Sequence, residues 1–537
     1  MASWNPFLPA DYRQQGAIYQ KQIFAAIENG DFEPYIWPYH SFGIYAILIY
    51  LMLPPSNSKV IYYAKYPVFA FFLYWSWKAI TETKAVLFPL CYGVGLVHMW
   101  CVIWFTSLII FNDARTELRR IEEVPEKNDR NSNTGHDGQE NTRTTSRPAN
   151  GNELKHRIQH RSTLPESNAN GDWPGNSGQK YYWQTLPTNF YDRIGWLSDL
   201  ICSFRGPGWA HQIRTIPSPP SYITSSLPSP SPPSTLSVSS TYASTSTLIR
   251  ANLLKGCIWY LSLDAIKVIM MEDPYFWGAI EAPAPAYLPR LIQMSPFLTH
   301  VYRLLVSLAG ISVALRGVFA LSPLFFVGLF GRNLLGLRGE AWQYSDFFGS
   351  PAYLFTDGLA GWWGAWWHQV FRLGFEAPSK FIVKKFGLDK RSVGAKMLSL
   401  FLAFVCSGSL HAAGSFTSWP RSYPLSGSFM FFMLQAVGII AETVILSNIK
   451  SSGVQNFLPQ WFRRGIHFTV LMAWMYYTSP LLVDDFSRAG LWFTEPIPIS
   501  PFRGLGFGLK SEGWYVWNRY GIRWHTGDRW WKSGLAF

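Results

Sequence analysis

Uninterrupted apolar runs constrain this chain more than any other feature. Residues 85–111 form a stretch of 27 without a formal charge, with Lys84 before it and Asp113 just after. Residues 397–416 and 465–483 are likewise charge-free, and about 20 apolar residues suffice to cross a hydrocarbon core as a helix. Further spans are expected at 36–53, 61–80, 253–271, 304–330 and 430–448. Arg316 and Pro323 interrupt the fifth of these eight, 304–330, which leaves room for two broken helices and a ninth span. Trp and Tyr crowd the span ends, as at Trp37, Tyr39, Tyr74, Trp75 and Trp77, where amphipathic rings suit the headgroup level. The fold class is therefore all-α: a polytopic transmembrane helical bundle of eight or nine spans. The first apolar span begins only at Ile36 and no small-residue cleavage site follows it, so no removed signal peptide is expected.

The surplus of positive charge, +13, is placed for a membrane rather than for nucleic acid. Between Lys380 and Lys396 six basic residues face one acid, Asp389, with Phe381, Ile382, Val383, Phe386 and Leu388 interleaved. That mixture fits an interfacial helix on anionic headgroups, on the cytoplasmic side by the positive-inside rule, with ligand phosphates as a second use. The five cysteines show neither a CxxC pair nor metal-ligand spacing, so neither a disulfide framework nor a metal site is expected.

The chain divides into an N-terminal interfacial segment (1–35), N-terminal transmembrane helices (36–111), a mostly disordered insertion (112–252), a membrane core (253–483) and an aromatic tail at the interface (484–537). Residues 112–172 lack Phe, Trp and Tyr and cannot bury enough apolar surface to offset ordering entropy. Residues 217–249 carry no charge and are rich in Ser, Thr and Pro, the composition of a semi-extended linker. Between them, Arg205-Gly206-Pro207-Gly208-Trp209 favours a tight turn.

Ionisable residues at bilayer depth are costly and are read first as functional. Asp264 and Lys267, three apart on one helix, are expected to pair. His98 and Arg316 lie deep, with packing and functional roles equally open. His411 sits in Ser407-Gly408-Ser409-Leu410-His411-Ala412-Ala413-Gly414, where small residues let a helix or ligand approach closely; a packed seam histidine is the alternative. Upstream, Trp362-Trp363-Gly364-Ala365-Trp366-Trp367-His368-Gln369 fits a re-entrant or interfacial element lining a cavity, with an ordinary aromatic belt as the alternative. On a helix, His368 and Arg372 would share one face.

These segments resemble the wax-synthase-like branch of the membrane-bound O-acyltransferases, especially its fungal members. The Trp362–Gln369 run followed by Arg372 looks like the family's Phe-Trp-Gly-x-x-Trp-His-Gln block. Ser407-Gly408-Ser409-Leu410-His411 is similar to the segment holding the intramembrane catalytic histidine, and Arg205–Trp209 to an Arg-Gly-x-Gly-Trp turn. Asp273-Pro274-Tyr275-Phe276 is a fourth landmark. Two departures stand out: Gly358-Leu359-Ala360-Gly361 replaces a Ser-Leu-Arg-acid sequence, and Ala365 stands where arginine is frequent.

The resemblance implies acyl transfer from coenzyme A to an alcohol, within a membrane cavity containing the catalytic histidine. His411 is the implied general base; a neutral imidazole with an ordinary pKa of ~6.5 accepts a hydroxyl proton at physiological pH. His368 orients the thioester or donates to the developing oxyanion. Trp363, Trp367, Gln369, Arg372 and Ser407 are the implied cofactor-binding residues, and Glu442 would hold the His411 tautomer if their helices are neighbours. No metal or permanently bound cofactor is required. The fungal resemblance favours acetyl-CoA as donor and a hydroxylated terpenoid or other secondary metabolite as acceptor, in the endoplasmic reticulum membrane. A long-chain wax or sterol ester synthase is the alternative within the class. A transporter with His411, Glu442 and Asp264 on its path, or an inactive scaffold, is the alternative outside it.

Overall fold

The computed structural model describes residues 9–54, 56–124, 180–228, 239, 241–420, 422–453, 457–517 and 522–537. Among them, twelve helices of nine residues or more follow in chain order: α1 Tyr12–Glu28, α2 Phe42–Met52, α3 Lys59–Glu82, α4 Phe88–Phe105, α5 Phe190–Cys202, α6 Thr245–Met271, α7 Pro296–Pro323, α8 Arg372–Lys385, α9 Val393–Thr417, α10 Met430–Ser451, α11 Gln460–Thr478 and α12 Pro480–Arg488. Their ends follow local chemistry. Ser244, Ser295 and Ser392 cap α6, α7 and α9 by accepting the amides of Thr247, Leu298 and Ala395. Pro296 occupies the first turn of α7, where its missing N–H costs nothing.

Five helical stretches among the described residues are long and apolar enough to cross a membrane: Leu90–Phe111, Pro296–Gly339, Val393–Thr417, Pro424–Ser451 and Gln460–Arg488. Of the eight or nine expected spans, five meet this test among the described residues, and the others fall short of it for identifiable reasons. The 36–53 region yields a helix of 11 residues, too short to span. At 24 and 27 residues α3 and α6 are long enough, but Lys65, Lys78 and Glu82 on one and Lys255, Asp264 and Lys267 on the other make them less apolar. The expected break within 304–330 does not occur, because α7 continues past Pro323 through a wide π turn, Leu324–Phe330.

The insertion contains ordered structure. Arg120–Glu123 pairs antiparallel with Tyr181–Gln184, and α5 packs on α2 through a core that includes Trp100, Trp104, Trp196 and Trp209. Residues 125–179, which include most of the stretch expected to be disordered, lie outside the described residues, as do 229–238 of the Ser/Pro linker. The tail does more than cover an interface. Gly534–Ala536 pairs with Ile36–Trp37, and Leu491, Trp492, Thr494 and Pro496 reach the interior of the bundle.

Two further expectations are corrected. Asp264 and Lys267 do not pair with each other. Asp264 accepts from Ser500 Oγ (2.5 Å) and the Phe502 amide (2.9 Å). Lys267 donates to the Trp492 carbonyl and lies 3.8 Å from Glu495. The segment after α12 brings these partners to α6, and they satisfy both charges better than a neighbour on the same helix. His98 is a packing residue, with Tyr35 Oη at 3.2 Å and Ser76 Oγ at 3.4 Å from its two nitrogens.

Candidate active site

The α4–α9 seam positions the principal histidine. A Cβ on Gly95 would lie 1.9 Å from the Ala413 carbonyl oxygen, so only glycine permits this approach of the two backbones. Thr417 locks the crossing, donating to the Cys91 carbonyl (2.6 Å) and accepting the Gly95 amide (3.1 Å). One turn away, a Cβ on Gly414 would meet the Tyr92 ring at 2.8 Å. That clearance lets the phenol lie against α9, and Tyr92 Oη stands 2.6 Å from His411 Nδ1. The opposite face of the imidazole stacks on Phe432 (4.6 Å, 14°). With Nδ1 engaged and the ring lining a cavity, Nε2 is the nitrogen left for a ligand.

That cavity encloses about 1240 Å³ and is walled mostly by aliphatic and aromatic side chains of α4, α6, α7, α10 and α11. Both His411 and His368 line it, as do Trp362, Trp363, Trp367, Tyr92 and Lys267. The tryptophan run is a short helical turn, Gly358–Gly361, followed by a wide turn, Trp362–Trp366. Trp363 contacts Phe432 (5.8 Å), the ring under His411, and joins the two motifs. His368 sits among Phe319, Phe348, Trp367 and Phe371, and its Nδ1 is buried without a protein partner.

The remaining sequence-derived residues divide. Trp363 and Trp367 line the cavity; Gln369, Arg372 and Ser407 do not. Gln369 is buried and donates to the Trp363 (2.9 Å) and Trp367 (2.7 Å) carbonyls, so it fastens the turn that presents His368. His368 precedes α8, so it shares no helix face with Arg372. The guanidinium instead takes Glu376 (2.6 Å), Gln369 Oε1 (2.8 Å) and the Gly364 carbonyl (3.1 Å). Burial raises the Glu376 carboxyl, but Lys380 and Arg372 outweigh it and hold the group below its ordinary range. Ser407 is half-buried on α9.

Glu442 does not orient His411. It accepts the Leu359 (3.3 Å) and Ala360 (3.1 Å) amides and caps the turn leading into the tryptophans. Gly358, at φ +53°, makes room for it: a Cβ there would lie 2.0 Å from the carboxylate. A carboxylate on free amides at a helix start is favourable, and this occupies the stretch where the resembled family carries charges of its own. Arg205 of the Gly-Pro-Gly turn is buried, donates to the Ser345 (2.7 Å) and Asp346 (2.9 Å) carbonyls, and stacks on Phe347. Asp273 of the fourth landmark forms a buried two-point pair with Arg303, both contacts at 2.9 Å.

The described residues thus place two histidines on one large apolar cavity within a helical membrane fold. Residues 344–434, from just before the tryptophan run to just past Phe432, match the Membrane bound O-acyl transferase family. Three relatives are fungal: acetyltransferase eriL of Hericium erinaceus, ple2 of Rhodocybe pseudopiperita and aurG of Calcarisporium arbuscula. The first is 23% identical over 62% of this chain and 76% of its own length. The second is 29% identical over 26% and 38%, and the third 26% identical over 26% and 33%. No solved structure matches the chain. The chain is thus similar to the membrane-bound O-acyl transferase family over residues 344–434 and to fungal acetyltransferases over longer stretches.

Proposed function

We propose that the protein transfers an acetyl group from acetyl-CoA to a hydroxyl of a terpenoid or similar secondary metabolite, with His411 as general base. The observation that carries this reading is the Tyr92–His411 hydrogen bond on the wall of a cavity that also holds His368. Nδ1–H donates to the phenolic oxygen, which fixes the tautomer and leaves the Nε2 lone pair facing the ligand space. Nε2 takes the proton of the acceptor hydroxyl as its oxygen attacks the thioester carbonyl carbon. The C–S bond breaks, and the departing thiolate recovers the proton from the imidazolium. Thiolates leave readily because thiol pKa values are about 8.5. His368 donates an N–H to the carbonyl oxygen as charge builds there.

The apolar walls suit an acceptor that is mostly hydrocarbon, and the names of the three relatives favour the short donor. The proposed setting is the endoplasmic reticulum membrane, and the positive-inside rule supports a cytoplasmic position for the 380–396 segment. Membranes carrying the protein, given labelled acetyl-CoA or a long-chain acyl-CoA with a panel of alcohols, are to yield acetyl esters by mass spectrometry. His411→Ala is to abolish them at unchanged expression, a loss of about 10²–10⁴. Turnover with the long donor alone, or full activity in the mutant, would refute the reading.

A further inference from the structure

A second, smaller pocket of about 80 Å³ adjoins the site, lined by Lys255, Trp259, Arg316, Phe319, Asp346 and Phe348 among others. Phe319 belongs to both cavities and lies 6.0 Å from the His368 ring, so a single aromatic wall separates them. Arg316 is the unusual member. It stands within a membrane-spanning helix, yet its guanidinium makes neither a hydrogen bond nor an ion pair with any described residue. Its described contacts are aromatic faces, Phe348 at 3.9 Å and Trp259 at 5.6 Å. A cation–π contact holds the plane of the group but leaves five N–H donors unused. An arginine at such depth is kept where its charge is needed.

The other charges in the pocket are already spoken for. Asp346 Oδ1 accepts from Lys255 (2.9 Å) and from Tyr242 (2.9 Å), so this one carboxylate, directly bonded to Lys255, must serve Lys255, Arg316 and Arg205 together. Arg205 grips the Ser345 and Asp346 carbonyls from below and adds a buried positive charge. The pocket therefore carries a surplus cation and room for one phosphate-sized anion. Its location fits a donor arriving from the basic face. Phe111 at the end of the α4 span stacks on Phe381 (4.7 Å) of the basic segment. A few residues on, Glu122 pairs with Arg338 (3.1 Å) in the segment that follows α7. The pocket and the basic segment thus share one end of the bundle.

We infer that Arg316 binds a phosphate of the acyl donor, with the pantetheine arm passing Phe319 to bring the thioester to His368 and His411. The inference rests on acyl-CoA being the donor. It replaces Arg372, whose guanidinium is committed within its own segment, as the anion receptor.

Binding of unacylated coenzyme A and of phosphate-free pantetheine to the purified full chain tests it without turnover. Arg316→Gln is to weaken coenzyme A by about ten- to a hundredfold, the worth of a hydrogen bond to a charged group, and to leave pantetheine unchanged. Arg316→Lys, which keeps the charge but loses the stacked fork, is to fall between wild type and Arg316→Gln in coenzyme A affinity. Equal coenzyme A affinity in wild type and Arg316→Gln would overturn the inference. So would a loss of co-purified phospholipid at unchanged coenzyme A affinity, which would make the pocket a headgroup site. An equal loss of both ligands in Arg316→Gln and Arg316→Lys would also overturn it, as damage to the fold. A wild-type protein that does not bind coenzyme A would sink the donor reading, and this inference with it.

Discussion

Tyr92 and Gly414 act as one unit. The glycine supplies the clearance, the phenol fills it, and the imidazole is aimed by the result. Tyr92→Phe keeps the ring and removes only the oxygen that holds Nδ1. It is expected to lower kcat by about ten- to a hundredfold, the worth of one buried hydrogen bond, while leaving KM for the donor unchanged. Steady-state kinetics with the donor varied checks this, since a merely structural defect would move both constants. His411 and the tryptophan run were legible in the sequence because charge and aromatic density are rare in apolar spans. Tyr92 was not: a tyrosine in a membrane helix is ordinary, and only the fold brings it to a histidine more than three hundred residues away. Glu442 and Arg372 were misjudged for the converse reason. Their charge was visible, but the partners that consume it, two backbone amides for one and a neighbour on the same helix for the other, belong to local geometry.

At the scale of helices, the joint between α6 and α7 is the most exposed to damage. Asp273 follows the last turn of α6, and its carboxylate is fully buried against Arg303 of α7, which also holds the Ala282 (3.0 Å) and Pro283 (3.1 Å) carbonyls. Asp273→Asn leaves the guanidinium buried without its counter-charge, a destabilisation of about 3–5 kcal/mol. Thermal unfolding in detergent is to show the lowered midpoint, and Arg303→Met with Asp273→Leu is to recover most of it. The apolar runs located all eight helical regions, five of which are long and apolar enough to cross a membrane among the described residues. Hydropathy alone does not show how the charges within an apolar helix are satisfied. Asp264 and Lys267 are the instance, because their partners arrive from beyond α12.

For the molecule as a whole, the ordered part of the insertion contributes to acid sensitivity. His211 follows the Gly-Pro-Gly turn with both ring nitrogens buried and without a hydrogen-bond partner among the described residues, beside Trp209. Burial pushes its pKa down from 6.5 to about 4, helped by Lys380 and opposed by Asp199. The unfolded chain binds a proton as pH falls through 6.5, whereas the folded one resists until about 4. Stability present above pH ~6.5 is therefore lost progressively across that window, by about 3 kcal/mol at most. His211→Phe is to flatten this part of the unfolding-midpoint profile against pH. Composition pointed to disorder here because the aromatic-free stretch dominates the average, while the few residues that pair with α5 and the segment following α7 carry the order.

The pairing of Ile36–Trp37 with Gly534–Ala536, reinforced by the Val86 amide on the Phe537 carbonyl (2.7 Å), has a bearing on biogenesis. A ribosome delivers the first of these strands hundreds of codons before the other. The early hairpin of helices must wait in the bilayer with an open β edge until synthesis reaches the matching residues. Closure of so distant a loop comes late in folding. A reporter inserted beside residues 534–537 would contend with that stitch.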